Sequence, residues 1–573
     1  MRQDQGRSIW HSTGGQPAEV TVNGVADAPH HLGLKLAAIV LLVALPIRLC
    51  VATRAAMISR DAANFAWYAQ ALADDPIAAM REHVHHPLYP ALVLAAHKVL
   101  GVLAPGLADD PVRGWTVALV SVALIGGLAV VVAAYAVTAA LFGRRVGLIA
   151  AALAAAAAEF CQLSADGLSD MPHLAVHLLA VAAVLRGTGR RRLRWLLFAG
   201  ILSGLAFLTR PEGAEVALVA AAMLLVAPQH WLLRKRLAGV VAVSLGAMCV
   251  AAPYMYVTGK LVQKKSVKQF FQADQPDERA AGFSPRGLSF ALAASAPNPC
   301  AARAQARGPL NAGAGVRACL AAPQVVAMGS PLQVIRALGP IAENYGRSLR
   351  VTMLLPVVVW LARRRDVPGN ALGCRFVLAV GLLHLLLLIA LIIRFNYWEL
   401  FSLRHVMVLA GLTLPFSAAG VATILGRVPE ARRGLVALIV AVALIGPTLP
   451  WMLEKRYADD VYLRRAGEWI RRQAEGVPRV LAERHQAAFY AGGVRVVSPL
   501  GADAGQILAA ARQARPEWLV FDERRMLGTS PDFFAELQRA VLPPEVLERV
   551  HLEPGSGKRA KDRAIVYHYR APP

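Results

Sequence analysis

Charge is scarce in this sequence, and acid is scarcer still. Of its 573 residues only 17% are charged, and 37 acids stand against 61 lysines and arginines. A soluble domain is about a quarter charged, so an ordinary soluble globular chain is excluded. Disorder is excluded as well, because 56% of the residues are hydrophobic and gather into long runs. Cysteine is rare. The six are scattered without a CxxC, which removes zinc and dithiol motifs. Cys50, Cys161 and Cys249 fall in or beside apolar runs and Cys374 opens another, so they read as small core residues. Cys300 and Cys319 share one long loop; a disulfide between them is expected only if that loop faces an oxidising compartment. The C-terminal tail has no GxGxxG and no P-loop, which leaves no basis for nucleotide chemistry there. No internal repeat is visible, which weakens an inverted-repeat transporter.

What the chain does have is apolar runs, at about 34–56, 115–141, 146–163, 171–186, 195–209, 211–228, 237–258, 349–362, 374–393, 404–426 and 434–451. They predict an α-helical polytopic membrane protein with about 11 transmembrane helices, several of them short for a bilayer core of about 30 Å. Residues 1–32 are polar and aperiodic and read as a disordered cytoplasmic tail. Residues 33–452 form the membrane domain, with outward loops at 57–113 and 259–348. Residues 453–573 alternate short strand and helix signals and predict a small extracytoplasmic α/β domain. Its strands are expected in PRVLAE, VRVVSP, EWLVFD and, as an edge strand, AIVYHYR, with helices over 461–474, 504–514 and 531–541.

The net charge of +24 would suit nucleic acid, but the cations sit in short clusters between apolar runs. Arg144 and Arg145, then Arg186 to Arg194, Arg234 to Arg236, Arg363 to Arg365, and Arg427, Arg432 and Arg433 follow successive even-numbered spans. The positive-inside rule makes those loops cytoplasmic, leaves the acidic loops outside, and removes the case for nucleic acid. Cytoplasmic N-terminus, periplasmic tail and a bacterial inner membrane are the resulting expectations, the last on Ala- and Arg-rich composition alone.

Ionisable groups at a membrane face are the functional candidates. Ser59-Arg60-Asp61 opens a segment whose Phe65, Tyr68, Ala69 and Leu72 share one helical face, an interfacial amphipathic helix with Asp61 at headgroup depth. Asp61 is either a chemical group there or the helix N-cap. Next comes Glu82-His83-Val84-His85-His86-Pro87-Leu88-Tyr89, whose donors suit a divalent metal or a sugar or phosphate, without a zinc spacing. Asp166 and Asp170 share a short outward turn, as reacting acids or as caps; Asp170, beside the Met171-Pro172-His173 helix start, is preferred. Arg210 and Glu212 lie in LTRPEG, and Glu399, Arg404 and His405 in WELFSLRH. Such arginines either bind phosphate bidentately or snorkel to headgroups. Lys264, Lys265 and Lys268 suit headgroups too.

SRDAANFAWYAQAL followed by HHPLYPAL resembles the first outward loop of GT-C-fold glycosyltransferases that use lipid-linked sugars, the protein O-mannosyltransferase and lipid A aminoarabinose transferase relatives. LSADGLSDMP, LTRPEG, LRHVM and the α/β tail are similar to the same group, so the likeness spans roughly residues 34–450 in layout. Ala62 stands where many relatives have a second acid, and His86-Pro87 where others have Lys-Pro or Pro-Pro. The resemblance implies a mannosyltransferase-like enzyme of the cell envelope. It would move a hexosyl or pentosyl group from a polyprenyl-phosphate donor to an acceptor hydroxyl on a lipid, glycan or protein. Asp61 would be the base, with Asp170 or Asp166 as substitutes. Tyr68, His85, His86, Tyr89, Arg210, Glu212, Glu399, Arg404 and His405 would bind substrate. No cofactor is required by this scheme, and a divalent metal is compatible with it. Two other readings stay open: a transporter or flippase of a lipid-linked saccharide, and a non-catalytic envelope assembly protein.

Overall fold

The computed structural model describes residues 29–226, 232–259, 331–349, 351–395, 401–497, 504–529, 535, 547–555 and 560–570. The N-terminal tail to 28, the lysines at 264, 265 and 268, Cys300, Cys319, Glu399 and nearly all of 531–541 lie outside the described residues.

Seven described helices are long and apolar enough to cross a membrane. They are α1 (His31–Arg54), α4 (Arg113–Phe142), α7 (Asp170–Arg190), α10 (Leu233–Thr258), α12 (Ala371–Ile393), α13 (Leu403–Gly426) and α14 (Glu430–Met452). Between them come α2 (Arg60–Asp74), α3 (Leu88–Leu103), α5 (Arg144–Ala156), α6 (Ala158–Leu163), α8 (Leu193–Thr209), α9 (Glu215–Val226) and α11 (Thr352–Ala362). The other four anticipated spans are therefore shorter or interrupted. The run expected over 146–163 breaks at Ala157, which is extended (φ −62°, ψ 113°). That break leaves carbonyls at the C-terminus of α5 without helical partners. Arg48 of α1 supplies them: fully buried, it donates to Ala155 O at 3.0 Å and Ala154 O at 3.1 Å. An arginine inside the bundle is tolerable because the negative end of a helix receives it. α3 is not among the anticipated spans; it lies within the segment read as the first outward loop.

In lipid the helices gain by close packing of small residues rather than by water release. Gly200 of α8 and Gly246 of α10 illustrate this. A Cβ at Gly200 would run into Val243 O, and one at Gly246 into Leu197 O. The two helices thus touch backbone to backbone, which no larger residue permits.

The two ends of the bundle differ. Asn370 N donates to Leu141 O at 2.9 Å, and Arg427 pairs with Asp366 at 2.6 Å. Three of the basic loops therefore meet at one end. Arg404, which opens α13, lies 23 residues before Arg427, or about 35 Å at 1.5 Å per residue. The acidic loops gather at that opposite end.

The C-terminal domain joins them there. Its sheet has the order β2–β1–β3–β5–β4, with β1 (Arg479–Ala482), β2 (Val494–Val497), β3 (Trp518–Asp522), β4 (Leu547–Pro554) and β5 (Arg563–Tyr569). β1 pairs in parallel with β2 and β3, and β5 runs antiparallel to β3 and β4. The strand expected at an edge, β5, is interior, because the unanticipated β4 covers it. β4 escaped notice because its burial alternates weakly and it is polar at Glu548, Arg549 and Glu553. α15 (Val461–Gln473) packs Tyr462, Leu463, Ala466 and Ile470 on Val480, Val520 and Val566. α16 (His485–Tyr490) lies on that face too, while α17 (Ala504–Ala514) packs Ile507 and Ala511 on Leu481, Leu519 and Ile565 of the other.

Candidate functional site

The site forms where four helix starts and ends converge. Ser59 is the cap of α2: its Oγ accepts from Ala62 N at 3.2 Å. Asp61, in the first turn, is not the cap and keeps its carboxylate for other partners. The shared face foreseen for α2 is real, and Phe65, Tyr68, Ala69 and Leu72 are buried. It packs on protein, chiefly α3, rather than only on the membrane interface, while Trp67 on the other side of α2 meets Phe489 of α16. Gly167, at φ +67°, turns the chain between α6 and α7, and its α-carbon faces Ala62 and Leu119. That close approach brings Asp170, the first residue of α7, beside α2. Arg210 ends α8 before a 3-10 turn over Pro211–Ala214, and Arg404 lies in the 3-10 turn Leu403–Val406 that begins α13.

These side chains join in one alternating chain of charge. Arg404 Nη1 is 2.6 Å from Asp61 Oδ2, and its Nε is 2.9 Å from Asp170 Oδ2. Arg210 donates to the other oxygen of Asp170, and its Nε is 3.6 Å from Glu212. Three carboxylates thus hold two guanidinium groups. Exposure is least in the middle of the chain: the Asp61 side chain is 34% exposed, Arg404 26%, Asp170 1%, Arg210 13% and Glu212 24%. Burial by itself would raise the Asp61 pKa. The charge of Arg404 and its hydrogen bond outweigh that and bring it down to about 2.

A narrow cavity beside this chain is lined by Asp170, His173, Arg210, His384, Arg404 and His405. His384 Nδ1 is 2.9 Å from Glu215 Oε1, and its Nε2 is 3.0 Å from the carbonyl of His405. His173 Nδ1 is 3.0 Å from Thr209 Oγ1. These contacts brace α7, α8, α12 and α13 around the arginines.

Asp166 is elsewhere. Its carboxylate is fully buried and pairs with Arg456 at 2.6 Å, and Arg456 also donates to Gln162. Burial pushes Asp166 up to about 6, against the pull of Arg456. Tyr68 stacks on His83 at 4.2 Å, Tyr89 donates to Leu119 O at 3.2 Å, His85 tilts against Phe65, and His86 is buried beside Phe207 and Tyr254. They hold the α2–α3 corner as packed rings. Among the described residues no group of three His, Cys, Asp or Glu is placed to hold a metal ion.

Sequence reading did not foresee Arg456, Arg464 or Tyr490. Arg456 O accepts from Ala56 N at 3.0 Å, Arg464 donates to Ala56 O at 2.8 Å, and Tyr490 OH accepts from Ile58 N at 2.8 Å. The C-terminal domain thereby fixes the segment that delivers Asp61. In the sequence, the one signal was the cations of LEKRYADDVYLRR just beyond the last span.

Residues 110–256 match the family described as dolichyl-phosphate-mannose-protein mannosyltransferase. No curated protein sequence matches the chain. Among solved structures it is similar to the archaeal oligosaccharyltransferase AglB of Archaeoglobus fulgidus, in complex with an inhibitory peptide and a dolichol-phosphate. That likeness has TM-score 0.52 and 13% identity, over 88% of this chain and 72% of that one. The apo form of the oligosaccharyltransferase from the same organism gives TM-score 0.51 at 13% identity, over 89% and 72%. ArnT of Cupriavidus metallidurans bound to undecaprenyl phosphate aligns with TM-score 0.42 at 14% identity, over 95% and 100%. The chain is a polytopic membrane protein of the GT-C fold, and part of its membrane domain, residues 110–256, carries the sequence pattern of the dolichyl-phosphate-mannose-protein mannosyltransferase family.

Proposed function

We propose that the protein transfers a hexosyl or pentosyl group from a polyprenyl-phosphate donor to an acceptor hydroxyl at the outer face of the membrane. The basic loops at the far end of the bundle support a cytoplasmic assignment for that end, and so a periplasmic one for the site and the C-terminal domain. In this reading the donor phosphate binds Arg404 and Arg210, which present planar, charged donors at the membrane surface. The acceptor oxygen attacks the anomeric carbon as the bond from that carbon to the phosphate oxygen breaks. The acceptor proton passes to Asp61, and the polyprenyl phosphate leaves with its charge held by the arginines. A single displacement inverts the anomeric centre.

Asp61 at a pKa of about 2 is a weak base. A phosphate that takes over Arg404 withdraws the charge that holds Asp61 down, so donor binding would itself raise Asp61 toward a working base. Asp170, sealed and shared by two arginines, orients them. The observation that carries the reading is the exposure of Asp61 at one end of the charge chain, 34% against 24% for Glu212, 1% for Asp170 and 0% for Asp166. The acceptor, whether lipid, glycan or protein, is a matter for the same assay. Purified Asp61→Asn should fold and bind donor yet lose about 10²–10⁴-fold in sugar transfer, the range of one general base. Near-normal transfer by that variant would remove Asp61 from the reaction.

A further inference from the structure

A second site lies on the other side of the segment that carries Asp61. It is a groove of ≈ 660 Å³ between α1, α4 and the C-terminal helix α15. Its upper wall is cationic. Arg464, Glu468, Arg471 and Arg472 follow one face of α15, and Arg113 opens α4. The two acids in the groove are already engaged. Asp110, just before α4, accepts from Val112 N and Arg113 N at 2.9 Å each, and meets Arg471 at 3.2 Å. Glu468 pairs with Arg464 at 2.7 Å, and that arginine is also over the Tyr490 ring. Arg113 reaches Asp110 only at 3.9 Å and is 79% exposed, while Arg472 has no ion-pair partner among the described residues. Positive charge is therefore left over.

The lower wall is apolar. Thr116, Val117 and Val120 continue down the face of α4 below Arg113, and Ala52 of α1 stands opposite. Val120 lies about 10 Å below Arg113 along the helix, within the hydrocarbon of a bilayer whose surface is at Arg113. A groove that is cationic at headgroup level and apolar beneath matches a molecule with a phosphate above and an acyl chain below.

We propose that this groove binds an anionic phospholipid, its phosphate between Arg113, Arg471 and Arg472 and one chain along Val117 and Val120. The inference concerns a site apart from the charge chain of Asp61 and does not depend on sugar transfer. The experiment reconstitutes the full chain in nanodiscs containing phosphatidylglycerol or only phosphatidylcholine, followed by native mass spectrometry after gentle detergent release. Wild type should retain one phosphatidylglycerol. Arg471→Gln with Arg472→Gln, both exposed, should retain it at least tenfold less. Val120→Trp, which fills the lower wall, should do the same. Equal retention by wild type and either variant would overturn the site. So would displacement by millimolar inorganic phosphate, which would make it a free-anion site. Displacement by stoichiometric polyprenyl phosphate would give the groove to the donor and likewise refute the proposal.

Discussion

Arg404 is the residue on which two carboxylates depend, so its removal makes two distinguishable claims. In Arg404→Gln, Asp61 loses its 2.6 Å partner and Asp170 its 2.9 Å partner. Asp170 keeps Arg210, so it is not orphaned, and the loss of stability should stay below the ~3–5 kcal/mol of an unpaired buried charge. Asp61 is a third exposed, so water replaces much of what its bond supplied. Its pKa should climb from about 2, because burial, the largest influence and an upward one, is then opposed only by His85 and Arg60. The sign of the linkage follows. In wild type the depressed pKa contributes stability that is present above about pH 4 and lost as pH falls through 2. The variant should lose that dependence. Donor binding should weaken by roughly one to two decades, the worth of a charge-assisted hydrogen bond of about 1.5–3 kcal/mol. Melting curves from pH 2 to 7 and binding of a polyprenyl phosphate to the purified variant measure both. Wild-type donor affinity together with a wild-type acid limb would refute the reasoning, because Arg404 would then touch neither the donor nor the Asp61 equilibrium.

Two further outcomes are expected. Tyr490→Phe leaves the buried Ile58 N–H without its acceptor, which should lower stability by about 1–3 kcal/mol and slow transfer by loosening Asp61; unchanged melting and turnover would mean the C-terminal domain does not position that segment. Asp166, raised to about 6, contributes stability that is present below about pH 4 and lost as pH rises through 6. Asp166→Asn should flatten that slope in a melting series, and an unaltered slope would assign it to another group.

The membrane class was readable from the chain alone, because a bilayer admits only segments that satisfy their own backbone and are apolar for about 20 residues. The seven long spans, the basic clusters between spans and four of the five strands followed from periodicity and charge. So did the residues of the charge chain, since an ionisable group at a membrane surface is rarely without purpose. Their partnerships did not. Asp61 and Arg404 are 343 residues apart in sequence, and nothing local says that they meet. Asp166 and Asp170, four residues apart, are distinguished in the sequence only by the nearness of Asp170 to a helix start; the turn at Gly167 sends one to Arg456 and the other to the two arginines. Ser59 rather than Asp61 caps α2, a choice made by backbone geometry that a run of polar residues does not reveal. Arg48 lies within the first apolar run with nothing local to explain it, yet it answers the carbonyls freed where α5 breaks at Ala157. Sequence assigns types of residue to a surface. Which acid is sealed and which stays open is set by helix ends converging from distant parts of the chain, and that only the tertiary structure decides.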